Sequence, residues 1–175
     1  ILEAYTSLYE VAPSGFLKGR LEEIITLFLD KFFDSKTHHF QLFFDEKWQA
    51  KGDIVSYGHD IEAAWLILEA AKVIDHTELF NRSKKLALAI AKTFAAEGID
   101  RNGGVNYEYN VSTKVLDTDK HWWPQAEAIV GLNYAYEISQ NESYLLLASK
   151  IWSFTKENLI DKKNGEWFWS VNGQN

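Results

Sequence analysis

The chain has 175 residues and a mass of 20.2 kDa, with 18 Lys and Arg against 25 Asp and Glu, for a formal charge of −7. That length suits one domain, and the acidic balance disfavours a nucleic-acid partner because phosphate binding needs a basic surface. Cysteine is absent, which excludes disulfides, zinc–thiolate sites and a thiol nucleophile.

The apolar runs are short and broken by charge, so no membrane partner is expected and a cytoplasmic location fits. Methionine is also absent and the first residues are already in helical pattern. The chain is therefore expected to be an internal piece of a longer protein.

In chain order, residues 2–9 read as the last turns of a helix. Leu21, Ile24, Ile25, Phe28, Leu29, Phe32 and Phe33 follow i, i+3, i+4, i+7 spacing and predict an amphipathic helix. Residues 39–44 form an aromatic extended stretch. Helices are expected over 61–74 and 79–94, then a strand-like arm over 104–109. Two further helices fall at 124–138 and 144–154, and a last aromatic arm at 166–169. Each arm is bounded by Asp, Asn or Gly, as short strands on helix-to-helix loops would be.

Three of these helices carry Glu-Ala near the start: Glu3-Ala4, Glu62-Ala63 and Glu127-Ala128, recurring about every 60 residues. A period of that size holds two helices, which predicts a helical-hairpin repeat, either a closed α/α toroid or an open solenoid. A plain bundle is the alternative, though bundles seldom carry matching decorated loops. The expected class is all-α.

The first loop-to-helix junction reads Ser56-Tyr57-Gly58-His59-Asp60-Ile61-Glu62. His59 and Glu62 are three apart, so on a helix they share a face and can hydrogen-bond. The helix dipole favours a neutral, proton-accepting imidazole at His59, and Glu62 favours the imidazolium, a balance suited to proton abstraction. The competing reading is a simple helix cap, with Asp60 serving the dipole and His59 packed against Tyr57.

The second junction runs from Asp117 through Lys120, His121, Trp122, Trp123 and Pro124 to Glu127. Pro124 fits a first helical turn, which places both tryptophans at the helix mouth, where aromatic faces suit sugar rings. One of the pair is expected to be core packing instead. His38-His39 is expected on a solvated loop, and His76 as a helix C-terminal cap. Asp53, Asp117 and Asp119 fit turns as well as they fit glycosidase carboxylates.

With both junctions in view, the chain resembles the N-acylglucosamine 2-epimerase family, most closely its cellobiose 2-epimerase branch. The matching stretches are Leu2-Glu3-Ala4-Tyr5-Thr6, the segment Ser56 to Glu62, the segment Asp117 to Glu127, Gly103 to Glu108 and Gly165 to Trp169. The resemblance implies an (α/α)6 barrel, of which residues 1–175 would be a single partial domain, roughly half. It implies epimerisation at C2 of a reducing-end sugar such as cellobiose or lactose, with no cofactor and no metal. His59 carries over as one of two acid-base histidines and Glu62 as the residue that tunes and orients it. Trp122 carries over as a sugar-stacking residue with Trp123 as its neighbour, and Tyr57 and Asp60 are assigned to the sugar as well.

Further sites that the family places outside the chain are a histidine one position before Ile1, an arginine upstream and a second acid-base histidine beyond Asn175. The piece alone is thus expected to be inactive and to associate with the remainder of its own barrel or with a second copy. Two other readings are an α/α-toroid glycoside hydrolase using Asp53, Asp117 or Glu127, and a non-catalytic, sugar-binding helical-repeat protein.

Overall fold

A computed structural model describes residues 1–173. Among the described residues, six α-helices carry the architecture: α1 (Leu2–Val11), α2 (Gly15–Leu27), α3 (Tyr57–Val73), α4 (Thr77–Glu97), α5 (Trp122–Ser139) and α6 (Ser143–Asn158). All six expected helices are present, and most begin a few residues earlier than periodicity suggests. Ser14 caps α2 by accepting from Leu17 N–H at 3.2 Å, so that helix starts at a cap the apolar stripe does not mark. After Leu27 the chain makes a π turn over Phe28–Phe32.

The helices pair as antiparallel hairpins, α1 with α2, α3 with α4 and α5 with α6, and α3 packs against both α1 and α5. This sets α1, α3 and α5 in one row with their hairpin partners behind. Helix α3 is buried almost all round, at Ile61, Ala64, Ile67, Leu68, Ala70 and Ala71, as a helix covered on several faces must be. It joins two apolar clusters, one with α1, α2 and α4 and the other with α5 and α6.

Gly131 lets α5 approach α3 closely. A Cβ there would lie 2.5 Å from Ile61 Cγ1 and 3.0 Å from the Ile61 carbonyl oxygen.

Short strands decorate the loops: β1 (Phe33–Asp34) pairs β2 (His39–Phe40), and β3 (Phe43–Phe44) pairs β4 (Ala50–Lys51). The stretch expected as one arm over 39–44 is thus split between two ribbons. Strands β5 (Ile54–Ser56), β6 (Glu108–Asn110) and β7 (Val115–Asp117) form an antiparallel sheet in that order. Its register sets Ser56 opposite Glu108 and Tyr109 between Val55 and Leu116. Strand β8 (Lys120–His121) pairs β9 (Ser170–Val171). The three-stranded sheet holds the loop before α3 beside the loop before α5, so the two junctions that carry His59 and Trp123 meet. Among the described residues, no helix is long and apolar enough to cross a membrane.

Candidate active site

His59 is the third residue of α3 and is exposed. Its Nδ1 lies 2.8 Å from Ser56 Oγ, and its ring stands 4.8 Å from the Trp123 ring, centroid to centroid. Trp123 can lie there because residue 58 is glycine: a Cβ at Gly58 would sit 2.5 Å from Trp123 Cη2. His59 and Glu62 both line a cavity of about 560 Å³, together with Glu3, Ile24, Phe28 and Phe40. The wall is mostly apolar with a few ionisable groups, a common make-up for small-molecule sites.

The recurring Glu-Ala pairs acquire a structural meaning. Glu62 and Glu127 are each the sixth residue of α3 and α5, and Glu3 is the second residue of α1, the third helix of the row. They are close enough to repel. Partial burial pushes the Glu62 carboxyl up to about 7, with the charges of Glu127 and Glu3 adding to the rise. Burial also raises Glu127, against the lowering effect of a hydrogen bond from Trp65 Nε1 at 2.9 Å, and Glu3 raises it further. A glutamate so placed can carry a proton near neutral pH and can either donate or accept a hydrogen bond there.

Several expected roles move. His59 is hydrogen-bonded to Ser56, not to Glu62, because the hydroxyl sits within reach of Nδ1 at the foot of the same turn. Tyr57 is 4% exposed and packs edge-on against His39, which places it in the core and not on the sugar. Asp60, 2% exposed, accepts from Phe40 N–H at 2.8 Å and lies 2.7 Å from His39 Nδ1. Both carboxylate oxygens are committed, so Asp60 is a clamp between β2 and α3, not a substrate ligand.

Burial alone would lower His39. Asp60 and Glu97 outweigh it and hold the imidazole above its ordinary value. His39 is thus buried and paired, not solvated on a loop.

The two tryptophans face different neighbours. Trp123 is the one beside His59, whereas Trp122 points to Trp167, edge-on at 6.5 Å, and lines a separate cleft with Glu166 and Trp169. Successive residues at a helix start diverge by about 100°, so only one of the pair can face the histidine.

His76 caps the start of α4, accepting from Leu79 N–H at 3.3 Å, and does not cap the end of α3. Asp53 accepts from Asn110 Nδ2 at 3.3 Å. Asp117, exposed on the outer strand of the sheet, accepts from the N–H of half-buried Asp119 at 3.0 Å, as turn residues do. Among the described residues, no three His, Asp or Glu side chains converge as metal ligands.

Residue-by-residue reading misses four contributors: Ser56, Trp65, Lys120 and Gln125. Lys120 is 1% exposed, and its Nζ reaches Asn106 Oδ1 at 2.7 Å, the Thr118 carbonyl at 2.7 Å and Asp100 Oδ2 at 3.1 Å. Gln125 is fully buried and ties Val105 to α5 by accepting from Val105 N–H and donating to its carbonyl. Together they fasten the loop before α5, which carries Trp123. Glu-Ala recurrence signals Glu127; nothing local marks Trp65 as its partner 62 residues away.

The family model described as N-acylglucosamine 2-epimerase matches residues 1–175. Curated relatives include a cellobiose 2-epimerase of Bacteroides fragilis, 43% identical over 171 residues, and one of Dictyoglomus turgidum, 40% identical over 172 residues. Each comparison takes in 98% of this chain but 43% of the relative. The solved structure of cellobiose 2-epimerase from Bacillus thermoamylovorans superposes with a TM-score of 0.94 at 38% identity, over 99% of this chain and 44% of that one. The chain spans less than half the length of these relatives.

Proposed function

Because the chain belongs to the N-acylglucosamine 2-epimerase family, we propose that it supplies one side of the active site of a sugar 2-epimerase. The observation that carries this reading is the placement of His59, beside Trp123 and on the same cavity as Glu62. The substrate is an aldose at the reducing end of a β-linked disaccharide of the cellobiose or lactose type. After the ring opens, the C1 carbonyl acidifies the C2 proton. His59 Nε2 takes that proton, and the electron pair passes into a cis-enediolate. A second acid-base group outside these residues returns a proton to the opposite face of C2.

Glu62, held near 7, donates a hydrogen bond to an oxygen of the enediolate while protonated, where charge is building. Trp123 presents a face to the sugar ring. No step calls for a cofactor.

Exposed Leu8 and Val11 on α1, Phe16 at the start of α2, and Leu146 and Trp152 on α6 are surfaces that further hairpins of an (α/α)6 barrel would cover. The test is incubation of the native full-length protein with cellobiose in heavy water. Glucosyl-mannose carrying deuterium at C2 is expected; a product lacking both the new epimer and the label refutes the reading. Cleavage to monosaccharides would indicate a hydrolase instead. His59→Asn separates an enzyme from a sugar-binding scaffold, since binding should survive and exchange should stop.

A further inference from the structure

Ser56 stands at the N-cap position of α3, where a serine ordinarily accepts from a backbone N–H one turn in. It makes no such bond; its hydroxyl lies 2.8 Å from His59 Nδ1 instead. The residue is 1% exposed, and its backbone is fixed by pairing of β5 with Glu108 of β6. A buried hydroxyl has therefore been withdrawn from helix capping and given to the one imidazole on the cavity. That departure from the usual local rule is what functional sites tend to show.

We propose that Ser56 is a positioning residue that holds His59 with its proton on Nδ1 and its lone pair on Nε2; this rests on the proposed epimerase chemistry. With the Ser56 oxygen accepting from Nδ1–H, Nε2 is the free nitrogen and can take a proton from carbon. The imidazolium that results keeps the same Nδ1–H donor, so the bond to Ser56 survives the transfer and the ring need not turn between its base and acid roles. The Trp123 ring, 4.8 Å away centroid to centroid, also limits how far the imidazole can move. If the proton sat on Nε2, the ring would present a donor to the cavity and could not act as base.

The experiment compares Ser56→Ala and Ser56→Thr in the native full-length protein, reading kcat, KM, C2 deuterium exchange and histidine ¹⁵N shifts. Ser56→Ala should lower kcat and exchange together by about tenfold or more with KM within about twofold. His59 should meanwhile move from the Nδ1–H towards the Nε2–H tautomer. Ser56→Thr keeps the hydroxyl and should restore most of the rate and the parent tautomer. An Ala variant that is folded and keeps its rate, or one whose tautomer is unmoved, overturns the proposal; so does a Thr variant as slow as Ala with the parent tautomer restored. If the parent protein shows no C2 exchange at all, the epimerase reading fails, while the ¹⁵N comparison still decides whether Ser56 sets the tautomer.

Discussion

Replacing Gly58 by alanine probes the contact that places Trp123. The new methyl would sit 2.5 Å from Trp123 Cη2, 2.6 Å from Cζ3 and 3.1 Å from Pro124 Cβ. Carbon atoms prefer to be about 3.5–4.0 Å apart, so the indole must retreat by about 1 Å. Two effects on stability oppose each other. Alanine is favoured over glycine within a helix by up to about 1 kcal/mol, and overpacking costs about 1–3 kcal/mol, leaving a net loss of about 0–2 kcal/mol.

Function should suffer more, because a misplacement of about 1 Å in a positioning group can cost about 100-fold in rate. Gly58→Ala should therefore fold, with denaturant midpoints slightly lowered, and lose about 100-fold in C2 exchange. The cycle with Trp123→Ala isolates the cause. Once the indole is gone, the same glycine-to-alanine change should become neutral or stabilising, leaving only the modest Pro124 contact to oppose helix propensity. Equal destabilisation in both backgrounds would refute the steric account, and parent-like exchange in Gly58→Ala would refute the importance of Trp123.

Gly131→Ala should be the costlier glycine change, at the upper end of the Gly58→Ala range with a net loss of about 2 kcal/mol, since the new methyl meets the Ile61 carbonyl, which belongs to α3 backbone and cannot rotate away; thermal unfolding reads it. Glu62→Gln should change how stability depends on pH. The folded state raises this carboxyl from 4.5 to about 7, so it binds more protons than the unfolded chain between those values. Stability should fall as pH rises through that window. The Gln variant should lose the slope and, after allowance for solvent screening, gain about 1 kcal/mol over the parent at pH 8. Denaturant titrations at pH 5 and pH 8 check both, and a parent slope of opposite sign would contradict the raising of this carboxyl by burial and, beyond it, by Glu127 and Glu3. Lys120→Met should destabilise by about 3 kcal/mol, because it strips Asp100, Asn106 and the Thr118 carbonyl of a shared buried donor. Urea unfolding measures it, and a loss below about 1 kcal/mol would mean water replaces the ammonium.

Helices were legible because their apolar spacing is strong and their packing agrees with it. The strand arms were harder to read. Residues 39–44 look continuous in sequence, yet two separate ribbons share them, and pairing between β5 and β6 joins positions more than fifty residues apart. Local pattern carries no information about such partners. Recurrence does better than pattern here: Glu3, Glu62 and Glu127 each fall near the start of the first helix of a hairpin, and Glu62 and Glu127 share the sixth position.

Within the site, helical spacing found His59 and Glu62 but assigned their bond wrongly. An i, i+3 relation brings two side chains to one face without deciding which neighbour an imidazole nitrogen meets first, and Ser56 lies three residues behind His59 just as Glu62 lies three ahead. The choice is made by burial. Ser56 and Asp60 are nearly inaccessible, so each must find a polar partner indoors; they take His59 Nδ1 and His39 Nδ1 respectively. The outcome is two imidazoles held by two buried groups on the same turn, one ring sealed as a clamp and the other left with a nitrogen free for chemistry. Sequence shows both histidines, but only the fold distinguishes the buried, paired ring from the one that lines the cavity.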